Sequence, residues 1–301
     1  MILIVGASGR LGRVLADKLL AQGKPVRALA RTSAKVEDLK RQGAEVVVGD
    51  LRDPVSLTRA CHGVQHVISA AHGLVGTGNN NPHTVDDVGH RSLIDAAREA
   101  GVQHFVYLSI QGSGPTSPVE FFRIKYHVEE YLRASGLSFT ILRACAFMDL
   151  WAEIIGQPIL ERGKAMIFGR GNNPINFVAV EDVARYALLA LADPRARNRT
   201  IEVGGPENLT FKEVANLFER ASGRPAKTNQ VPLPLMRVMA PLMRPINPAL
   251  SRQISMGVYM DTADLRFDMT ERLKEFPLPL TRWEEWIKLH TAPGTIAQQG
   301  E

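Results

Sequence analysis

Residues 1–12 read MILIVGASGRLG, an apolar run of four residues that leads directly into a glycine-rich turn. The run Ile2–Val5 predicts a buried strand, and the apolar residues at helical spacing after the turn predict a helix. Glycine has no Cβ, so a backbone built on Gly6, Gly9 and Gly12 can approach a ligand closely. The first N–H groups of a helix and its positive dipole end favour an anion. The stretch therefore predicts a pyrophosphate site, and hence a bound dinucleotide.

Composition and charge limit the classes of partner. The chain has 301 residues, 45% of them hydrophobic and 22% charged, which is typical of a globular protein with a large core. Its net charge is +5, but Lys and Arg are spread along the chain without interleaved aromatic residues, so we predict no nucleic-acid surface. No apolar stretch approaches the roughly 20 residues that a membrane span needs. Cys61 and Cys145 lie far apart without a CxxC motif or a His cluster, which predicts no disulfide, no metal site and a cytoplasmic protein.

Strand and helix patterns alternate through the first half of the chain. After the turn, further strands are predicted at 26–30, 45–48, 65–69, 104–108 and 138–142, with helical patterns between them. This alternation indicates βαβ units, so we predict an α/β fold with a doubly wound parallel sheet (Rossmann) over residues 1–147. Shorter pieces over 148–292 predict a smaller, mixed α/β substrate-binding portion that closes on this core, and 293–301 is predicted to be a disordered tail.

Two connections have unusual compositions. The segment 70–81, AAHGLVGTGNNN, follows the carboxyl end of a predicted strand, where ligands of such sheets bind. We predict that it is a mobile flap over the ligand rather than a plain surface loop. The segment 232–248 places Leu and Met residues between prolines. Because Pro241 and Pro245 would interrupt a membrane-surface helix, we predict instead that this segment packs over a substrate cleft.

The residues after the predicted strands indicate which dinucleotide binds. Where an NAD-binding protein places Asp or Glu against the ribose 2′-hydroxyl, this chain has Arg31. Arg31 can pair with a phosphate bidentately and Arg10 can assist, so we predict NADP(H) in preference to NAD(H). Asp50 either accepts a hydrogen bond from the adenine or serves only in its own turn. The cofactor-binding residues predicted from this pattern are Gly6, Ser8, Gly9, Arg10, Leu11, Gly12, Arg31, Asp50, Leu51, Ala70 and Ala71.

Several longer motifs point to a family. They are GASGRLG at 6–12, VRALAR at 26–31, GDL at 49–51, AGVQHFVYLS at 100–109, the stretch from Lys125 through 128–148, NFVAVEDVA at 176–184 and VGGPENLTFKEVA at 203–215. With these motifs the chain resembles the short-chain dehydrogenase/reductase superfamily, specifically its atypical NmrA-like branch, which includes isoflavone-reductase-like enzymes. The last two motifs extend the resemblance beyond the nucleotide-binding half. It implies an NAD(P)-binding oxidoreductase.

The resemblance also implies a catalytic position. Members of the superfamily usually carry Tyr-x-x-x-Lys, in which the lysine binds the nicotinamide ribose and lowers the pKa of the tyrosine, which then donates a proton. Here Lys125 matches the lysine, but Phe121 stands at the tyrosine position. Ser109 and Gln111 lie near the position of the assisting Ser or Thr. Lys125, Ser109 and Gln111 are therefore the catalytic candidates, and Lys125 and Ser109 are also predicted to contact the cofactor.

In the relatives, residues after the sixth strand contact the nicotinamide, which implies the same role for Ala144, Cys145 and Phe147. We therefore expect an NADPH-dependent oxidoreductase that transfers hydride to a small apolar carbonyl, quinone or conjugated substrate, acting as a monomer or homodimer. A non-catalytic NADP(H)-binding redox sensor or assembly protein is the alternative, which the absent tyrosine favours. A sugar-nucleotide epimerase or dehydratase fits less well, since such enzymes need that tyrosine.

Overall fold

Residues 1–291 are described by the computed structural model, and they fall into two units. The first unit is Met1–Ala144 with Val183–Val203, and the second is Cys145–Asp182 with the chain from Gly204 onward. The predicted division at 147/148 needs correction for residues 183–203. They belong to the first unit because a strand within them extends its sheet. The predicted tail at 293–301 lies outside the described residues.

The elements follow one another in this order along the chain. They are β1 (Ile2–Val5), α1 (Arg10–Ala21), β2 (Val26–Ala30), α2 (Glu37–Arg41), β3 (Glu45–Val48), α3 (Pro54–Cys61), β4 (His66–Ser69), α4 (His90–Glu99), β5 (His104–Ile110), α5 (Glu120–Ala134), β6 (Phe139–Ala144), β7 (Ala146–Phe147), α6 (Met148–Trp151), α7 (Gln157–Arg162), β8 (Lys164–Phe168), β9 (Ile175–Val178), α8 (Val180–Ala192), β10 (Arg199–Val203), β11 (Asn208–Leu209), α9 (Phe211–Ser222), β12 (Lys227–Val231), α10 (Leu233–Met243), α11 (Pro248–Thr262), α12 (Thr270–Glu275) and α13 (Trp283–Thr291). Short 3₁₀ pieces are Ser33–Val36 and Pro194–Ala196, and π-helical pieces are Pro82–Gly89 and Ala152–Gly156.

The sheet of the first unit has seven parallel strands in the order β3-β2-β1-β4-β5-β6-β10. All four residues of β1 are buried, as expected for a central strand covered on both faces. The strand order reverses between β1 and β4, which makes the crevice at their carboxyl ends the switch point where ligands of such sheets bind. This arrangement confirms the predicted doubly wound Rossmann fold.

A π-helical piece, Pro82–Gly89, precedes α4 in the segment between β4 and β5, for which the sequence predicts a helical pattern. The side chain of Asn81 caps its start by accepting hydrogen bonds from the N–H groups of His83 and Thr84. A π-helical turn changes the direction in which its side chains point and is frequent at functional sites. This piece carries Asp86, which lies at the candidate site.

The second unit contains a three-stranded sheet, β11-β9-β7, and a parallel pair, β12-β8. Aromatic rings form its core: the Phe177 ring lies 6.1 Å from that of Phe211 and 5.5 Å from that of Trp283, measured between centroids. Helix α10 continues through Pro241, so the expected interruption at that residue is wrong. A proline inside a helix removes one backbone hydrogen bond, and α10 tolerates this loss near its end. Within residues 1–291, no helix is long and apolar enough to cross a membrane.

Candidate functional site

Glycine is required at two positions of the turn between β1 and α1. Gly6 has a φ of +90°, and a Cβ there would lie 2.8 Å from the backbone nitrogen of Ala71. A Cβ at Gly12 would lie only 2.1 Å from the carbonyl oxygen of Gly6. The turn is closed by a hydrogen bond from the Gly9 N–H to the same oxygen, at 2.9 Å. Any larger residue at Gly6 or Gly12 would therefore displace backbone.

The start of α1 is suited to an anion. The helix begins at Arg10, no side chain caps it, and its first turn contains no acidic residue. Ser8, Gly9 and Arg10 are exposed, whereas Leu11 and Gly12 are buried behind them. The first N–H groups of a helix have no partner within it and carry a partial positive charge. The predicted turn residues therefore fit a pyrophosphate.

The other cofactor residues predicted in the first unit lie where parallel strands end. They are Arg31 after β2, Asp50 and Leu51 after β3, Ala70 and Ala71 after β4, Ser109 near the end of β5, and Ala144 at the end of β6. The catalytic candidate Gln111 directly follows β5. Because all these strands are parallel, their carboxyl ends share one edge of the sheet with the glycine turn. Cys145 and Phe147 belong to the second unit.

Asp50 is held in its own turn by Arg52. Its Oδ1 accepts hydrogen bonds from the backbone N and the Nε of Arg52, at 2.9 and 2.8 Å. These hydrogen bonds lower the pKa of the Asp50 carboxyl, and the nearby charge of Arg31 adds a smaller contribution. The structure thus describes Asp50 as a turn residue, and its contact with adenine stays a prediction. Arg31 is an exposed cation next to it.

Lys125 is buried rather than on the surface, with only 4% of the residue exposed. Its Nζ lies 3.1 Å from the Oδ1 of Asp86 and donates to the carbonyl oxygen of Leu108 at 3.3 Å. The other oxygen of Asp86 accepts the N–H of Gly73 at 2.7 Å. Gly73 lies in the segment 70–81, so Asp86 ties the predicted flap to the lysine of α5.

Two aromatic rings lie against the ammonium group. The Nζ of Lys125 is 4.9 Å from the centroid of the Tyr107 ring and 5.5 Å from that of Phe121. Tyr107 is a fully buried core residue, and burial raises the pKa of its phenol well above the ordinary value. Its hydroxyl has no hydrogen-bond partner among residues 1–291. A phenol in this state is a poor proton donor, so Tyr107 does not replace the tyrosine that the relatives carry at the position of Phe121.

A buried histidine completes this cluster. The Nδ1 of His90 lies 3.0 Å from the carbonyl oxygen of Val85, and its ring packs edge-on against Tyr107 at 5.2 Å. Burial, and next the charge of Lys125, lower the pKa of His90 to about 4, so the ring is neutral at neutral pH. Sequence reasoning missed Asp86 and His90. Their signal was present, because Asp86 and His90 fall at helical spacing with the apolar Leu93.

Ser109 belongs to a second buried network. Its Oγ donates to the Oε1 of Glu129 at 2.5 Å and lies 3.2 Å from the Oγ of Ser113. Glu129 is fully buried and also binds Arg143, whose Nη2 lies 2.6 Å from its Oε2. Gln111 is half-buried, and its N–H donates to the carbonyl oxygen of Ala144 at 2.9 Å. The catalytic roles of Ser109 and Gln111 stay predictions.

Both cysteines are buried, and neither forms a disulfide. Burial raises the pKa of the Cys61 thiol to about 12, which makes it a poor nucleophile. Cys145 is 4% exposed. In the described part of the chain, no three His, Cys, Asp or Glu residues are grouped so that they could hold a metal ion.

Comparisons with known proteins identify the family and the fold. The chain matches the model of the NmrA-like family over residues 1–287. It is 28% identical over 298 residues to the Photosystem II assembly factor Ycf39 of Trieres chinensis, which covers 95% of this chain and 91% of that protein. It is 33% identical over 228 residues to the NAD(P)H azoreductase of Xenophilus azovorans, with 75% and 76% covered.

Among solved structures, the NADPH-dependent quinone oxidoreductase QOR2 of Escherichia coli, complexed with NADPH, has the same fold. It aligns with a TM-score of 0.78 over 97% of this chain and 100% of that chain, at 23% sequence identity. The resemblance inferred from the motifs is confirmed, since the family match extends over both units. The chain belongs to the NmrA-like family.

Proposed function

We propose that the chain binds NADP(H) and reduces a small apolar quinone, carbonyl or conjugated compound. The observation that carries this proposal is the buried ammonium of Lys125, held by Asp86 at 3.1 Å. A buried charge is costly to maintain, so a lysine kept at the ligand-binding edge of a Rossmann sheet is better explained by a ligand than by stability. The azoreductase and the quinone oxidoreductase named above are reductases, which supports the same reading.

The residues of this chain fit the parts of NADPH. The N-terminus of α1 would hold the pyrophosphate, and Gly6 and Gly12 would let the backbone approach it. Arg31, with Arg10, would pair with the 2′-phosphate, which is why we propose NADP(H) over NAD(H). Lys125 would donate hydrogen bonds to the nicotinamide ribose. NADPH supplies a hydride when bound, and the protein positions it.

The absence of a hydroxyl on the Phe121 ring limits which substrates the chain can reduce. Reducing an isolated ketone creates an alkoxide, which needs a proton donor such as the absent tyrosine. Reducing a quinone creates a phenolate oxygen, and the ordinary pKa of a phenol is about 10. Water can protonate such an oxygen without a positioned acid. Quinones and conjugated compounds are therefore the favoured substrates.

The test is a turnover assay with purified protein, NADPH and a panel of quinones, enones, aldehydes and azo compounds, followed by NADPH absorbance. We expect the wild type to turn over quinones or conjugated compounds. Lys125→Ala should abolish this turnover, whereas Lys24→Ala, at an exposed lysine, should leave it unchanged. Because Lys125→Ala leaves Asp86 buried without a counterion, the double variant Lys125→Met/Asp86→Asn should accompany it. Full turnover by a folded double variant would contradict the proposal.

The second candidate is a non-catalytic NADP(H)-binding redox sensor or assembly protein. The observation that favours it is Phe121 in place of the expected phenol, while Tyr107, the other ring against the ammonium of Lys125, is fully buried and its pKa is raised. Several relatives are named as assembly factors, one of them at 28% identity over 95% of this chain. Tight NADPH binding without turnover of any compound in the panel would support this candidate over the reductase.

A further inference from the structure

Arg52 engages both oxygens of the Asp50 carboxylate in the turn after β3. The Oδ1 of Asp50 accepts hydrogen bonds from the backbone N and the Nε of Arg52, and its Oδ2 accepts one from the Nη2 at 2.5 Å. A guanidinium that binds a carboxylate through two of its nitrogens forms a strong, directional pair. Only 30% of the Arg52 side chain and 22% of the Asp50 side chain are exposed, so water competes with the pair less than at an open surface.

The backbone of Asp50 is held independently of Arg52. Its N–H donates to the Oγ of Ser56 at 3.1 Å, and its carbonyl oxygen accepts from the N–H of Asp53 at 2.9 Å. Ser56 is itself only 1% exposed, on the buried side of α3. Removing the guanidinium of Arg52 would therefore leave the Asp50 carboxylate at the same strand end, without its neutralising partner.

Arg31 lies beside this pair on the neighbouring strand. Strands β2 and β3 are parallel with Ala30 opposite Val48, and the N–H of Gly49 donates to the carbonyl oxygen of Ala30 at 3.1 Å. Arg31 and Asp50 thus follow the ends of two strands that lie about 4.8 Å apart. The charge of Arg31 contributes to the lowered pKa of Asp50, so the two side chains are within electrostatic reach.

An unneutralised Asp50 would oppose a phosphate at Arg31. Its carboxylate would compete with the phosphate for the guanidinium of Arg31 and would repel the phosphate itself. Building on the proposed function and depending on it, we propose that Arg52 sets the preference for NADP(H) by neutralising Asp50, which leaves the charge of Arg31 to the 2′-phosphate. Arg52 acts through Asp50 and needs no contact with the cofactor.

The same local pairing occurs where no ligand is expected. The Oδ1 of Asp193 accepts from the backbone N of Arg195 at 2.9 Å, and its Oδ2 accepts from the Nη2 at 2.6 Å. This pair precedes β10, at the amino ends of the parallel strands and hence at the edge of the sheet opposite the candidate site. Because it has the geometry of the Asp50 pair without Arg31 beside it, Arg195→Gln is the matched control.

The test is a fluorescence titration of NADPH and NADH against the wild type and the variants. Arg52→Gln should reduce the ratio of NADPH to NADH affinity by about fivefold to tenfold, with NADH binding nearly unchanged and the effect shrinking as salt is added. Asp50→Asn/Arg52→Gln removes both charges and should restore the ratio of the wild type. Arg195→Gln should leave the ratio unaltered.

Arg52 has one further contact, from its Nη1 to the carbonyl oxygen of Asn79 at 3.1 Å. Loss of that contact alone would weaken both dinucleotides alike and would persist in the double variant. The proposal is overturned if Arg31→Asp lowers the ratio and Arg52→Gln does not, or if the double variant keeps the reduced ratio. If Arg31→Asp itself leaves the ratio unchanged, the proposed preference for NADP(H) fails, and the role of Arg52 fails with it.

Discussion

The Nζ of Lys125 and the Oδ1 of Asp86 lie 3.1 Å apart, with only 5% and 0% of the two side chains exposed. Desolvation of two charges can cost more than their attraction returns, so such a pair is weak evidence for stability. Its effect is geometric: together with the Leu108 carbonyl and the Tyr107 and Phe121 rings, Asp86 determines where the ammonium lies.

Removing the charge of Asp86 should therefore strongly destabilise the fold. Asp86→Asn leaves the buried ammonium without its counterion, and we expect the free energy of unfolding to fall by about 3–5 kcal/mol, measured by urea denaturation. Asp87→Asn is the matched control, because Asp87 pairs with Arg91 at a partly exposed position and should contribute less than about 1 kcal/mol. Adding Lys125→Met to Asp86→Asn should recover part of the loss. Equal stability of the two single variants would refute the argument.

Restoring the phenol should widen the substrate range. In Phe121→Tyr the ring next to Lys125 gains a hydroxyl that can donate a proton, so the rate on isolated ketones should rise by about a hundredfold. Steady-state kinetics with NADPH would measure it, and kcat should acquire a new dependence on pH. Phe122→Tyr, at the neighbouring buried ring, should not have this effect. Similar rates for the two variants would argue against a proton-donor position at residue 121.

Arg31 should set the preference between the two dinucleotides. Charge-assisted hydrogen bonds contribute about 1.5–3 kcal/mol, so Arg31→Asp should reduce the ratio of NADPH to NADH affinity by about tenfold to a hundredfold. Fluorescence titration of both cofactors measures the ratio. Arg41→Asp makes the same charge change at an exposed position on α2 and should leave the ratio unaltered. An unchanged ratio in Arg31→Asp would remove the basis for NADP(H) preference.

His90 should make the fold sensitive to acid. Its pKa is lowered to about 4 in the folded chain, mainly by burial, against an ordinary value of 6.5. The unfolded state therefore binds more protons between these values, and stability should be lost as the pH falls from about 6.5 to 4. The expected loss from this residue is about 3 kcal/mol at the lower end.

Urea denaturation at several pH values tests this dependence. His90→Gln should flatten the slope in that window, whereas His62→Gln, at an exposed histidine, should keep it. His104, whose pKa burial also lowers to about 4, should leave part of the slope in both variants. If the stability of His90→Gln depended on pH as steeply as that of the wild type, His90 would not be a source of the acid sensitivity.

Local patterns predicted much of the first unit. Strands β1, β2 and β3 have the predicted bounds, because short apolar runs between Gly, Pro and turn residues are local signals. Helices α10 to α13 were not predicted, since their proline-rich or weakly periodic sequences become helical through packing within the second unit. The place of β10 beside β6 depends on pairing between residues distant in the chain, which local patterns do not specify.

By itself the sequence determined the glycine turn, the doubly wound fold and the strand ends at which candidate residues lie, because each follows from local spacing and from the geometry of parallel strands. Only the tertiary structure decided that Lys125 is buried, that Asp86 is its partner and that the Ser109 hydroxyl donates a hydrogen bond to Glu129. Those contacts join residues distant in the chain. They depend on how α5 packs against the π-helical piece and β5, which no local pattern records.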